Sequence, residues 1–270
     1  MSDAIPFDEE LQVQRLLNSP GTPMWRKYAQ LATGSDSVGA LLKYEFLHGL
    51  LSGCPGAAGL WLRQKAYRLL LARLGGGSQI GRNVTFRGVS KIEIGRNVFI
   101  DDGCSFDARG PDARIILHDN VFVSRQSIIR TRGQTIEIGK GSDIGANCLV
   151  STDSSLKIGE DVLLAAYTYV CAGGNHVFRD PRVPILRQGM RSKGGVTIGN
   201  NVWVGAHSSI FDGVTIGEGS IVGAHSMVNR SLPEMKICFG SPARVVRDRP
   251  GLARPGDAAL VDPDDMDLFG

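Results

Sequence analysis

Between Val196 and Val228 the sequence repeats every six residues, as IGNNVW, VGAHSS, IFDGVT, IGEGSI and VGAHSM, closed by Val228. An aliphatic residue opens each block, glycine usually follows it, and a small or β-branched residue sits four places on. A period of six is neither the 3.6 of a helix nor the 2 of an ordinary strand. It marks a stack of short repeated units, each unable to bury its apolar side without its neighbours.

The same slots can be followed towards the N-terminus. Apolar openers stand at Ile94, Ile100 and Phe106; Leu117, Val123 and Ile129; Ile138, Ile144 and Val150; and Ile158, Leu164 and Val170. They continue at Ile198, Val204 and Ile210, then Ile216, Val222 and Val228. Extra residues enter only after the third opener of a triplet, in the stretches 107–116, 130–137, 151–157 and 171–197. Three short strands therefore make one turn of a triangular coil, with the openers pointing inward in ladders spaced ~4.8 Å apart. All insertions must leave the prism at one corner. Ile80 and Phe86 begin a partial coil in the same phase.

The fold expected is mainly β: a parallel β-helix, a triangular prism of hexapeptide repeats, over residues 76–234, with a loop at 171–195. An α-helical region (1–75) precedes it. A strand and turn (235–249) and a flexible acidic tail (250–270) follow. Within the N-terminal region, Leu11, Val13, Leu16 and Leu17 suggest a short helix. From Ser35 to Leu74 apolar spacing of three and four, interrupted by Gly53-Cys54-Pro55-Gly56, predicts a helical hairpin. Its second arm carries Arg63, Lys65, Arg68 and Arg73. Two readings stand for it: a cap over the open end of the prism, or a membrane-surface helix through residues 60–74.

A formal net charge of +3 is too mild to argue for nucleic acid as the main partner, but suits a small anionic ligand. The five cysteines are odd in number and scattered, with no C-x-x-C pair, which argues against a disulfide framework or zinc knuckle and for a reducing cytoplasm. The start, MSDAIPFDEE, lacks the basic-then-apolar order of a signal peptide. No apolar run approaches the ~20 residues of a membrane span, so a cytoplasmic protein, at most peripheral to a membrane, is expected.

The pattern [aliphatic]-Gly-x-x-[small]-x, together with NNVWVG (200–205), VGAHSMVNRSLPE (222–234) and GSPARVVR (240–247), resembles the hexapeptide-repeat acyltransferases, and within them the maltose, galactoside and xenobiotic O-acetyltransferase group. The likeness covers roughly residues 80–247. The helical N-terminus resembles members that modify surface polysaccharides. The resemblance implies a left-handed coil, a homotrimer, acetyl-CoA as co-substrate and a sugar or glycan acceptor. It places the catalytic base at His176, the only histidine of the long insertion, in AGGNHVF (172–178). An imidazole with a pKa near ~6.5 suits removal of a hydroxyl proton, and the Gly173-Gly174 segment offers backbone for an oxyanion donor.

By the same resemblance, Ala206 and Ala224, one coil apart, would let the pantetheine arm approach the backbone. Arg230, Arg244 and Arg247 would meet its phosphate end, with Asn229-Arg230 standing where the family often has Thr-Lys. Trp203 is either an aromatic near the thioester or an outer packing residue. For the acceptor the candidates are Asn147 and Asp153; Asp153 would orient His176, bind a sugar hydroxyl, or simply shape a turn. Gly145, where the family often has Asn, implies a different acceptor geometry.

His207 and His225 lie one coil apart at the same phase and should stack on the outer face. Neither has a third histidine at metal-binding spacing, so no metal is expected. His118 is expected to be exposed, and His48 to belong to the helical hairpin. The expected function is acetyl-CoA-dependent O-acetylation of a sugar hydroxyl. The alternatives are N-acylation of an amino-sugar nucleotide and a non-catalytic β-helix scaffold.

Overall fold

The computed structural model describes residues 21–250; the suggested helix around Leu11–Leu17 and the acidic tail lie outside them. The inward slots predicted from the repeat form three unbroken ladders. Leu74, Ile94, Leu117, Ile138, Ile158, Ile198 and Ile216 stand in register on the first parallel sheet. Ile80, Ile100, Val123, Ile144, Leu164, Val204, Val222 and Cys238 do so on the second. Phe86, Phe106, Ile129, Val150, Val170, Ile210 and Val228 form the third. All but Leu74 are at most 1% exposed. The result is a parallel β-helix of seven coils whose core is the axis of the prism. Leu74, which sequence periodicity left in the helical hairpin, completes the first coil.

The corners explain the abundance of Asn, Asp and Gly. Each turn from the first face to the second, and from the second to the third, needs a residue with positive φ. Asn97, Asn120, Asp161 and Asn201 supply it at one corner. Asn83, Gln126, Asn147, Tyr167, His207 and His225 supply it at the other, with φ between 53° and 62°. Asn and Asp tolerate this region; a bulky ring there costs about 1–2 kcal/mol.

Three helices close the N-terminal end: α1 (Met24–Thr33), α2 (Val38–Leu51) and α3 (Gly56–Ala66). The last two are the predicted hairpin. The first was not foreseen, because its buried face is Lys27, Ala29, Ala32 and Thr33, which carries no aliphatic periodicity. It stops at Gly34, whose φ of 75° ends the helix. Helix α3 ends at Ala66 rather than running on towards Leu74, since Leu70 and Leu71 must turn inward and Arg73–Leu74 must pair with Glu93–Ile94.

The hairpin seals the prism with polar bonds as well as apolar area. Tyr67 lies edge-on to Phe86, which stacks on Phe106 at 5.4 Å. Arg63, 1% exposed, donates from Nε to Ile80 O at 2.8 Å and from Nη1 to the carbonyls of Leu51 and Cys54 at 2.9 and 2.7 Å. A residue that looked part of a basic outer stripe is thus the internal tie between the hairpin turn and the first coil. None of the described helices is long and apolar enough to cross a membrane.

His48 stacks on Tyr44 at 5.1 Å, beside the Tyr67 hydroxyl. Burial lowers its pKa, partly offset by Glu45. The unfolded chain therefore takes up this proton more readily, so stability held above pH ~6.5 is lost as the pH falls below that value. Melting the wild type and His48→Gln at pH 7.5 and pH 5 is expected to show a larger acid-induced drop for the wild type.

Candidate active site

The prism is interrupted where the fifth coil hands over to the sixth. Tyr169–Ala172 ends the third-face strand, and Val196–Ile198 resumes on the first face. Between them the chain leaves as an arm. Asn175–His176 pairs antiparallel with Met190–Arg191, and Val177 N donates to Gly189 O at 2.9 Å. Beyond this stub, the Gln188 side chain bonds the backbone of Asp180 and Val183, and Arg182 pairs with Asp180. His176 is exposed on the outgoing strand of the arm. It is reachable by solvent or substrate, and the backbone on both sides of it is held.

Asp153 sits against the root of the arm. The third-face register aligns Thr152 with Ala172, so Asp153 falls beside Gly173. A Cβ on Gly173 would lie 2.9 Å from Asp153 Oδ2, so only glycine allows this approach. Gly174, with φ of 84°, passes equally close to Arg191 O. The two glycines therefore serve close packing at the point where the arm departs. Asp153 also accepts from Arg132 Nε at 3.1 Å. His176 stands three positions beyond Gly173, at most ~11 Å of chain.

Asn147 is elsewhere. It occupies the left-handed corner position where the second face meets the third, at the opposite end of the strand that leads to Asp153. Six residue steps, including the four-residue strand Leu149–Thr152, put at most about 20 Å between the two acceptor candidates. The corner geometry alone accounts for an asparagine there.

The expected cofactor residues fall into two groups. Ala206 and Ala224 lie half-exposed one coil apart at that second-to-third corner, where a Cβ on Gly205 would meet Ala224 Cα at 2.8 Å. Beside them the predicted histidine stack is present: the His207 and His225 rings lie 4.9 Å apart and 4° from parallel. Tyr167, which the sequence reading passed over, extends the stack at 4.7 Å. Gly240 N bonds Ser226 Oγ, which brings the terminal hairpin Lys236–Gly240 and Ala243–Asp248 over this corner, with Arg244 opposite Phe239. Arg247 is farther along, opposite Ile237.

Trp203 projects outward from the second face between Leu163 and Ile221. Asn229 and Arg230 instead follow Val228 at the third-to-first corner, two coils beyond the arm. Within one chain, then, the Ala206–Ala224 corner and the His176 arm are separated by the width of the third face, about 20 Å. His118 contacts Glu137 at 2.8 Å on the outer surface. Among the described residues no three His, Cys, Asp or Glu side chains are grouped as a metal site would require.

The family model for bacterial transferase hexapeptide, six repeats, matches residues 195–230. The chain resembles the hexapeptide-repeat acyltransferases in this stretch. A probable acetyltransferase of Mycobacterium tuberculosis is 29% identical over 152 residues, 56% of this chain and 50% of that protein. The galactoside O-acetyltransferase of Escherichia coli is 35% identical over 116 residues, 43% of this chain and 55% of the enzyme. The chain thus spans about half the length of these curated relatives. Among solved structures, an N-acyltransferase from Bacillus cereus in complex with dTDP and 3-hydroxybutyryl-CoA is similar at 25% identity. That alignment covers 69% of this chain and 88% of the other, with a TM-score of 0.47.

Sequence reasoning missed the residue that anchors the returning end of the arm. Asp212, 3% exposed, accepts from Lys193 N at 2.5 Å and Gly195 N at 2.8 Å, with the Ser192 hydroxyl at 3.4 Å. It lies in the repeat block IFDGVT, where it reads as ordinary turn chemistry; only the fold shows what it holds. Asp212→Ala is expected to raise amide exchange at Lys193 and Gly195 about tenfold or more, the effect of losing a charge-assisted bond to each. Unchanged exchange would remove Asp212 from that role.

Tyr169 was also unforeseen. The nearby Cys171 thiol, together with burial, pushes the pKa of the tyrosine hydroxyl up to about 12. It therefore stays neutral on the third face, beside Arg130.

Proposed function

We propose that the chain transfers an acetyl group from acetyl-CoA to a hydroxyl of a sugar or glycan precursor, with His176 as general base. The observation that carries this reading is the position of His176. It is exposed and backbone-held on the one long arm that leaves the prism, with a carboxylate, Asp153, packed at the arm's root.

The chemistry is a direct displacement. The imidazole takes the acceptor hydroxyl's proton as its oxygen attacks the thioester carbonyl. The carbon–sulfur bond breaks as the tetrahedral intermediate collapses, and the imidazolium returns the proton to the departing thiolate. No covalent enzyme intermediate and no metal are needed. Cys171 is half-buried next to Tyr169 and is not required.

Acetyl-CoA is assigned to the Ala206–Ala224 corner, where small side chains let the pantetheine reach backbone groups. Trp203 stands on the adjoining face, and Arg244 overhangs the corner. Asn229, Arg230 and Arg247 are the further candidates for the phosphates. Since this corner and His176 are about 20 Å apart in one chain, the reaction calls for a second copy whose corner faces the arm.

The outer surfaces support such an assembly, and a homotrimer is the form proposed. Outward residues of the first face are Arg73, Glu93, Ile116, Glu137, Lys157, Thr197 and Thr215, suited to water. The second face instead presents Phe99, Phe122, Asp143, Leu163, Trp203 and Ile221. Burial among these apolar neighbours raises the pKa of Asp143. An apolar stripe of this length on a soluble surface marks a contact.

Incubation with labelled acetyl-CoA and a panel of sugars, sugar nucleotides and lipid-linked glycans tests the reading. Label in an alkali-labile ester is expected. Label confined to the amine of amino-sugar nucleotides would replace O-acetylation by N-acylation, and no transfer to any acceptor would leave a scaffold.

A further inference from the structure

Most arginines along the corners of the prism spend their guanidinium forks on carboxylates. Arg96 binds Asp119 through Nε and Nη2, Arg109 binds Asp107 through Nε and Nη2, and Arg82 binds Asp102 through both as well. Two arginines beside the His176 arm make contact through Nε alone. Arg130 donates from Nε to the Ser151 hydroxyl at 3.0 Å, and Arg132 from Nε to Asp153 Oδ1 at 3.1 Å. Each is thereby fixed at Nε, and its remaining donors are not taken up by those contacts.

Arg130 lies on the strand Ile128–Thr131 and Arg132 directly follows it, its N still bonding Thr152 O at 3.1 Å; with buried Thr131 between them, their side chains leave the same side about 7 Å apart. Their rows run directly to the arm. Arg130 is in register with Ser151 and then Cys171; Arg132 falls beside Asp153 and then Gly173. Asp107, on the neighbouring strand, is neutralised by Arg109. Locally two guanidinium groups share one carboxylate, Asp153, which binds Arg132; both arginines are half-buried, where charge-assisted bonds are stronger than in open water.

We propose that Arg130 and Arg132 form a subsite for an acidic group on the acceptor, a carboxylate or phosphate borne by the sugar whose hydroxyl reaches His176. A planar fork recognises either anion bidentately, and a gap of about 7 Å suits an anionic substituent on a sugar ring. This deepens the acetyl-transfer reading and rests on it for the position of the reacting hydroxyl.

The test is calorimetric titration of the intact protein, with saturating CoA, by methyl glucuronide, glucose 1-phosphate and methyl glucoside. One of the two anions is expected to bind at least ten times more tightly than the neutral glycoside, and which one wins identifies the acidic group. In the pair Arg130→Gln and Arg132→Gln that preference should fall by tenfold or more, with acetyl-CoA affinity within twofold of wild type. Equal binding of all three sugars overturns the proposal. So does a variant that loses acetyl-CoA affinity instead, which would give the arginines to the cofactor. A fall in oligomer mass overturns it too, since the arginines would then pair across a contact between copies. Because binding is read without turnover, the outcome is independent of whether His176→Ala abolishes transfer.

Discussion

Replacing His176 by Ala is expected to lower acetyl transfer by about two to four orders of magnitude, the range supplied by a positioned general base. Acetyl-CoA affinity and oligomer mass should stay at wild-type values. The side chain is exposed on the arm and belongs to no described core cluster, so its loss leaves the prism intact. Initial rates, a titration with acetyl-CoA and a mass measurement on the same sample separate the possibilities. A variant retaining more than about a tenth of wild-type activity would remove His176 from the chemistry. A variant that loses acetyl-CoA binding would make it a cofactor residue instead.

The second large effect concerns stability. Arg63→Met keeps most of the side-chain volume but takes the guanidinium donor from the carbonyls of Cys54 and Ile80, and leaves Leu51 O only its bond from Cys54 N. Two of these belong to the end of α2 and its following turn, where helix carbonyls already lack intrahelical partners. Stranding buried acceptors costs about 1–3 kcal/mol each, so a loss of about 3–5 kcal/mol is expected. Urea unfolding followed by Trp25 and Trp61 fluorescence reads it directly. Arg63→Lys should recover only part of the loss, because one ammonium cannot serve carbonyls on three separate segments. A change below about 1 kcal/mol would mean that water replaces the guanidinium and that apolar packing alone holds the hairpin to the first coil.

Periodicity was enough to locate the three inward ladders from Ile80 to Val228, because a solenoid's core is one slot repeated. The slot demands an apolar side chain whatever the neighbouring coil contains, so the signal adds up along the chain. The same logic placed all insertions at one corner and predicted the parallel rings of His207 and His225. It did not find α1, whose buried face is small and polar, nor the role of Leu74, whose partner Ile94 lies twenty residues away. It also misjudged Arg63, since a basic residue in an amphipathic stretch looks the same whether it faces water or three carbonyls.

The candidate site divides in the same way. His176 was legible because it is the only histidine in the only long break of the repeat. Asp153 and Asn147 looked equivalent as candidates, being six residues apart on either side of one strand. In the prism the first meets the root of the arm and the second turns the far corner. Asp212, Arg130 and Arg132 left no mark in the sequence, because a turn aspartate and two strand arginines are ordinary residues until register sets them beside the arm.

What the amino-acid sequence determined by itself is the prism: its period, its inward ladders, and the corner where the arm leaves. Local spacing suffices there, since each opener needs only the coil above and below it. Only the tertiary structure decided which polar side chains meet at that corner, and that the cofactor candidates stand a full face away from His176. Those relations join residues 17 to 50 positions apart through strand register, and no local pattern records them.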